Sequence, residues 1–153
     1  MIEEGMAAPE VTLTLADGPV ALSALRGQIV VLYFYPKDDT SGCTNEAKDF
    51  SGLRDRFEAA GARVIGVSRD TLASHAKFAN KYALAIDLAS DTDGNVTEAF
   101  GVWVEKSMYG KKYMGIERAT FLINREGRVA RVWRKVKVAG HANQVLDTVL
   151  SLG

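Results

Sequence analysis

Ile29-Val30-Val31-Leu32-Tyr33-Phe34 is an unbroken apolar run of strand length. A strand with no polar face is buried on both sides, so this one belongs in the middle of a sheet that is covered above and below. Pro36 lacks a backbone N–H and fits the end of such a strand, not its middle. Beyond it, Ala47, Phe50, Leu53, Phe57 and Ala60 recur at helical spacing, and Gly61 stops the pattern. The chain therefore passes from a buried strand into a helix within residues 36–46. Its only cysteine, Cys43, lies in that passage.

The position matters for chemistry. The first backbone N–H groups of a helix have no partner within it, and the helix dipole adds partial positive charge. Both favour an anion, and the thiolate is the reactive form of cysteine. Gly42 carries no side chain, so a small ligand could approach the backbone there. A lone cysteine is ordinarily a small buried hydrophobe. The strand–turn–helix setting, with Gly42 before it and Thr40 three residues earlier, favours a reactive thiol instead.

The rest of the chain reads as alternating strands and helices. Val11 to Leu15 alternates at period two, Asp17-Gly18 is a turn signal, and Pro19 to Leu22 is a short partner strand, giving an N-terminal hairpin. Ser23 caps a brief turn before Gly27. The helix after Cys43 is predicted to run to about Ala60, with Lys48, Asp49, Arg54, Asp55 and Glu58 on its wet side. A strand over Arg63–Ser68 follows, then a helix over Thr71–Tyr82 with Leu72, Ala76, Ala79 and Tyr82 on one side. Ile86–Leu88 is a short strand and Asn95–Phe100 a single helical turn. Trp103–Gly115 has no clear period and reads as a loop. Arg118–Ile123 and Val129–Trp133 form a hairpin across Asn124–Gly127. Gly140 precedes a last helix with Ala142, Val145, Leu146 and Val149 facing in. This pattern gives an α/β fold, a mixed central sheet flanked by helices on both faces.

Pro36-x-x-x-Thr40-x-x-Cys43-x-x-Glu46 resembles the peroxidatic motif of the peroxiredoxins. The wider string from Tyr35 to Phe50 is similar to the peroxiredoxin Q subfamily, also called bacterioferritin comigratory protein. So are Gly66–Asp70, Glu105–Gly110, Arg118–Ile123 and Trp133–Lys137, in the same order along nearly the whole chain. The resemblance implies a thioredoxin-like fold with an N-terminal β-hairpin extension, in one domain spanning residues 1–153. It implies a thiol-dependent peroxidase, in which the Cys43 thiolate attacks a peroxide oxygen and becomes a sulfenic acid.

The resemblance also assigns roles. Arg118 becomes the active-site arginine; a surface strand arginine is the plain alternative. A guanidinium about 4 Å from the sulfur contributes roughly 4 kcal/mol at an intermediate dielectric, against about 0.3–1 kcal/mol from a helix end. Thr40 is expected to offer its hydroxyl to a peroxide oxygen, beside the Cys43 N–H. Pro36 would shield the thiolate. Glu46 would orient the arginine; a helix-capping carboxylate is the alternative. Tyr35, Phe34, Trp103 and Met108 are candidates for an apolar collar about the substrate, with core packing the simpler role for Phe34.

Most relatives carry a second, resolving cysteine, either at the place of Lys48 here or at the place aligned with Ala79. This chain has neither, so an intramolecular disulfide is impossible. The sulfenic acid is then left to an external thiol (thioredoxin, glutaredoxin or glutathione), or to Cys43 of another copy; replacement of a resolving cysteine, with Ala79 the plausible site, is the third explanation. A disulfide oxidoreductase is disfavoured, because Thr40 stands where the first cysteine of Cys-x-x-Cys would be. The rival from another class is a non-enzymatic thiol redox sensor or thioredoxin-fold binding module, contacting a partner through residues 103–115.

Composition closes off other classes. Lys plus Arg and Asp plus Glu number 19 each, which gives no support for nucleic acid or an anionic membrane as partner. No run approaches a membrane span, residues 1–5 lack the blocks of a signal peptide, and one cysteine makes no internal disulfide framework, so a reducing cytoplasm is the expected compartment; a monomer or weak dimer is expected. His75 and His141 show no ligand spacing, and neither a metal nor another cofactor is expected. Lys37, Asp38 and Asp39 read as a solvated loop.

Overall fold

The computed structural model of the chain describes residues 2–152; Met1 and Gly153, which the expected domain span includes, lie outside the described residues. In chain order the elements are β1 (Thr12–Leu15), β2 (Gly18–Ala21), a 3-10 turn (Leu22–Leu25), β3 (Ile29–Phe34), α1 (Ser41–Gly52), α2 (Arg54–Ala59), β4 (Ala62–Ser68), α3 (Leu72–Tyr82), β5 (Asp87–Ser90), α4 (Asn95–Ala99), β6 (Trp103–Met108), β7 (Lys111–Ile116), β8 (Ala119–Ile123), β9 (Val129–Trp133) and α5 (His141–Ser151).

The central sheet has the order β5-β4-β3-β8-β9. β3 lies parallel to β4 and antiparallel to β8, so the sheet is mixed. Every residue of β3 is buried, as a run with no polar face requires. Its side chains alternate between two cores. Val30, Leu32 and Phe34 join Phe100, Phe121 and the hairpin residues Leu13 and Leu15 on one side. Ile29, Val31, Tyr33 and Tyr35 join Cys43, Phe50, Phe57, Phe78 and Val145 on the other. The helices divide unevenly. α1, α2, α3 and α5 cover the second face, whereas the β1–β2 hairpin and the short α4 cover the first.

Three readings of the sequence are corrected. The helix predicted from Cys43 to Ala60 is two helices, broken at Leu53 (φ −102°, ψ 3°). Gly52 is a poor helix former, and the Leu53 N–H tightens to the carbonyl of Phe50 at 3.1 Å. In α3 the buried side chains are His75 and Phe78, while Leu72 is 38% exposed. Of the predicted side, Ala79 and Tyr82 pack partly against the core while Leu72 and Ala76 are exposed, and His75, with partners inside, takes a buried place instead. Residues 103–115 are not a loop. β6 and β7 pair antiparallel from Trp103↔Ile116 to Met108↔Lys111 as a separate two-stranded arm. Tyr109 (φ 52°) and Gly110 (φ 79°) make its two-residue turn.

Candidate active site

The register of the sheet brings the distant arginine to the cysteine. Phe34 pairs with Ala119, so Arg118 stands just beyond the paired end of β8, where β3 gives way to the turn leading into α1. Cys43 is the third residue of α1 and is 1% exposed. The Arg118 Nη2 donates to Cys43 Sγ at 3.3 Å, across 75 residues of chain. Its Nη1 donates to Glu46 Oε1 at 2.7 Å. One guanidinium therefore bridges the thiol and a carboxylate one helical turn further along α1. Burial works against the charge on Arg118, but Glu46 and Cys43 outweigh it and hold the group above the ordinary arginine value.

Glu46 itself is 1% exposed. Burial pushes its carboxyl up to about 7, against the opposing pull of Arg118. Its second oxygen, like the hydroxyl of Tyr33, is buried without a hydrogen-bond partner among the described residues. The capping alternative for Glu46 does not hold. α1 begins at Ser41, so a capping-box carboxylate would have to stand at residue 43.

Two other expectations change with the geometry. Gly42 leaves no vacancy for a ligand on its side-chain side: a Cβ there would sit 3.2 Å from Arg118 Nη2. The missing side chain admits the guanidinium. Thr40 takes the N-cap position with no side-chain cap bond, and its hydroxyl donates to the Lys37 carbonyl at 2.9 Å. A hydroxyl has one proton. With that proton engaged, Thr40 Oγ1 has only lone pairs left for a further partner, not the free donor that the sequence suggested.

The collar is only partly assembled. Tyr35 is buried in the same core as Cys43, and its hydroxyl donates to Asp38 Oδ1 at 2.6 Å. Burial raises its phenol well above the ordinary range. Pro36 follows β3 and is exposed. Phe34 points into the opposite core. Trp103 packs on that opposite core too, under the Arg69 guanidinium, whose carbon lies 3.4 Å from the ring centroid. Met108 is 56% exposed near the tip of the arm. The structure thus brings together Cys43, Gly42, Glu46 and Arg118, with Thr40 at the helix entry, and does not bring Trp103 or Met108 into that cluster.

The loop between β3 and α1 is not a solvated charge run. Asp38 is buried, and its Oδ2 meets His75 Nδ1 at 2.7 Å and accepts from Ser74 Oγ at 2.8 Å. Although burial alone would raise it, the His75, Tyr35 and Ser74 contacts hold the Asp38 carboxyl below its ordinary value. The Asp38 N–H donates to Asp70 Oδ2 at 2.8 Å, and His75 Nε2 lies 3.0 Å from the Ala89 carbonyl. Asp39, at φ 60°, accepts from Lys81 at 2.8 Å and from Tyr82 at 2.6 Å. The loop is thereby tied to α3 at two points. Asp38, Asp70 and His75 could each offer one atom to a cation, within 4.8 Å of one another, but those atoms already serve these hydrogen bonds. No local signal in the sequence pairs Asp38 with His75, 37 residues away.

A buried thiol at the first turn of a helix, held under a guanidinium at the end of a thioredoxin-like sheet, defines a peroxiredoxin-type thiol site. The chain belongs to the AhpC/TSA family, whose model matches residues 5–132. It is 51% identical over 138 residues to peroxiredoxin Bcp of Xanthomonas campestris, covering 90% of this chain and 86% of that one. It is 49% identical over 146 residues to a putative peroxiredoxin bcp of Coxiella burnetii, covering 95% and 97%. Among solved structures, it superposes on the X. campestris bacterioferritin comigratory protein with a TM-score of 0.91 at 45% identity, covering 98% of this chain and 99% of that one.

Proposed function

We infer that the chain is a thiol-dependent peroxidase that reduces hydrogen peroxide and organic hydroperoxides through a sulfenic acid on Cys43. The observation that carries this reading is the contact of Arg118 Nη2 with Cys43 Sγ at 3.3 Å, fixed from behind by Glu46. A guanidinium there offers N–H groups to the negative charge that develops on a departing oxygen. The X. campestris relative is described by its alkyl peroxide reduction activity, which supports the same substrate class here.

In the proposed reaction the thiolate sulfur attacks one oxygen of R–O–O–H in line with the O–O bond. That bond breaks, its electron pair goes to the leaving oxygen, and a proton from solvent completes R–O–H. Cys43 is oxidised to the sulfenic acid and the peroxide is reduced. Thr40 Oγ1 accepts from the peroxide O–H and so orients it; the Cys43 N–H serves as a second donor; Pro36 shields the sulfur from the solvent side. Glu46 positions Arg118. Tyr35 holds the loop that carries these groups.

The chain has one cysteine, so the reducing equivalents come from an external thiol: thioredoxin, glutaredoxin or glutathione. No helix among the described residues is long and apolar enough to cross a membrane. A single domain acting in the reducing cytoplasm, as a monomer or weak dimer, completes the reading. The test is a coupled peroxidase assay of wild type and Cys43→Ser with each reductant, joined to mass spectrometry after graded peroxide exposure. Turnover that vanishes in Cys43→Ser, with an oxygen adduct on Cys43, is the expected result. Turnover that survives in Cys43→Ser, or wild-type Cys43 that takes up no oxygen, overturns it.

A further inference from the structure

Arg118 is held at its tip by Glu46 and Cys43. Its backbone is held by other means. The pairing of β3 with β8 ends at Phe34↔Ala119, and that of β8 with β9 ends at Thr120↔Trp133, so the backbone of Arg118 lies past both ladders. Two bonds from outside the strands secure it. The Val136 N–H donates to the Arg118 carbonyl at 3.0 Å, and the neighbouring Glu117 N–H donates to the Val102 carbonyl at 2.7 Å. Residues 101–102 and 134–136, which carry these partners, are separate stretches of chain, and neither belongs to a helix or strand.

Both stretches meet at one carboxylate. Glu117 Oε2 accepts from Arg134 Nε at 3.1 Å and from the Lys135 N–H at 3.3 Å. The same arginine donates from Nη2 to the Gly101 carbonyl at 3.0 Å. Lys135 takes the left-handed conformation (φ 48°), which a residue with a side chain seldom adopts. It stands between the bond to Glu117 and the return of Val136 to Arg118. Among the described residues neither Glu117 nor Arg134 bonds to Cys43, Glu46 or the Arg118 guanidinium. Their side chains are 14% and 29% exposed, and a partly wet pair contributes little to global stability. What this one controls is local: it gathers every segment that fixes the root of Arg118.

We propose that Glu117 and Arg134 are positioning residues for peroxide reduction: their ion pair sets the backbone of Arg118, and through it the place of the guanidinium at Cys43. The inference rests on the peroxidase reading above. An arginine side chain is long and has several rotatable bonds, so a clamp on its tip leaves its root free to shift. A donor to a reacting atom must be placed from both ends, since a misplacement of about 1 Å can cost of order a hundredfold in rate.

The test follows oxidation of pre-reduced protein by hydrogen peroxide in a stopped-flow instrument. Glu117→Ala removes the shared acceptor, Arg134→Met removes the two side-chain donors, and Glu117→Gln keeps one acceptor oxygen. Each change is made in wild type and in an Arg118→Ala background, and urea unfolding checks that each variant folds. The expected result is a loss of about tenfold for Glu117→Ala and for Arg134→Met, with Glu117→Gln recovering most of the rate. In the Arg118→Ala background the same changes should cost less than about twofold, because the residue they act through is gone. Arg134→Met carries the comparison alone should Glu117→Ala fail to fold. Rates for the folded variants within about twofold of wild type overturn the proposal and leave the peroxidase reading intact. So does an equal loss with and without Arg118, which is the mark of a merely structural role. Wild-type protein that hydrogen peroxide does not oxidise strikes the peroxidase reading, and the proposal falls with it.

Discussion

Gly42 and Arg118 fit each other: the guanidinium occupies the space that a side chain on residue 42 would need. A Cβ at Gly42 would lie 3.2 Å from Nη2, closer than ordinary contact allows. The backbone at Gly42 is not in the left-handed region, so alanine is compatible with the local helix. Gly42→Ala therefore displaces the arginine by a few tenths of an ångström without unfolding α1. The expected outcome is a thermal midpoint close to wild type with a roughly tenfold or greater loss in the rate of Cys43 oxidation. An unchanged rate would show that the contact does not position Arg118.

Glu46 gives the protein an unusual pH signature. Its carboxyl is raised by burial from 4.5 to about 7 in the folded state. The folded protein therefore binds this proton more tightly than the unfolded chain between those two values. Stability from this group is fully present below about 4.5 and is lost as pH rises through about 7, by an amount of order 3 kcal/mol. Glu46→Gln keeps a hydrogen-bond acceptor for Arg118 and removes the titration. In urea unfolding, the stability of wild type relative to Glu46→Gln should fall as pH goes from 5 to 8. A flat difference across that range would contradict the burial argument.

The ties between the active-site loop and α3 should be costly to cut. Asp38 and His75 are each 4% exposed as side chains, and removing one partner leaves the other buried without its counterpart. Asp38→Ala and His75→Ala should each destabilise the fold by about 3–5 kcal/mol. The double variant should cost less than the sum, because the two losses share one contact. Additive losses in a double-mutant cycle would mean that the pair is not an energetic unit.

How much of this was legible in the residues depends on how local the signal is. β3 announces itself, because a strand buried on both faces must be apolar throughout. The cysteine's place at the helix entry follows from Pro36 before it and the helical stripe after it. Arg118 could be tied to Cys43 only through the family resemblance, since strand order is not written in periodicity. The β6–β7 arm was missed for a physical reason. Apart from Ile116, none of its residues is buried, so neither face demands an apolar alternation. Asp38 was misread because a charge flanked by Lys37 and Asp39 looks solvated until its distant partners on α3 are known. Thr40 was named as a candidate, yet its hydroxyl donates to the Lys37 carbonyl, a contact that no sequence pattern reveals.

The central claim is that the Arg118 guanidinium makes Cys43 a fast nucleophile toward peroxide. Stopped-flow oxidation of pre-reduced protein by hydrogen peroxide, at neutral pH and with no reductant present, measures that step alone. Arg118→Ala, checked for folding, should react about a hundredfold or more slowly than wild type, in keeping with removal of a preorganised charged donor. Wild-type oxidation no faster than a free thiol, or an Arg118→Ala rate within about threefold of wild type, would contradict the account.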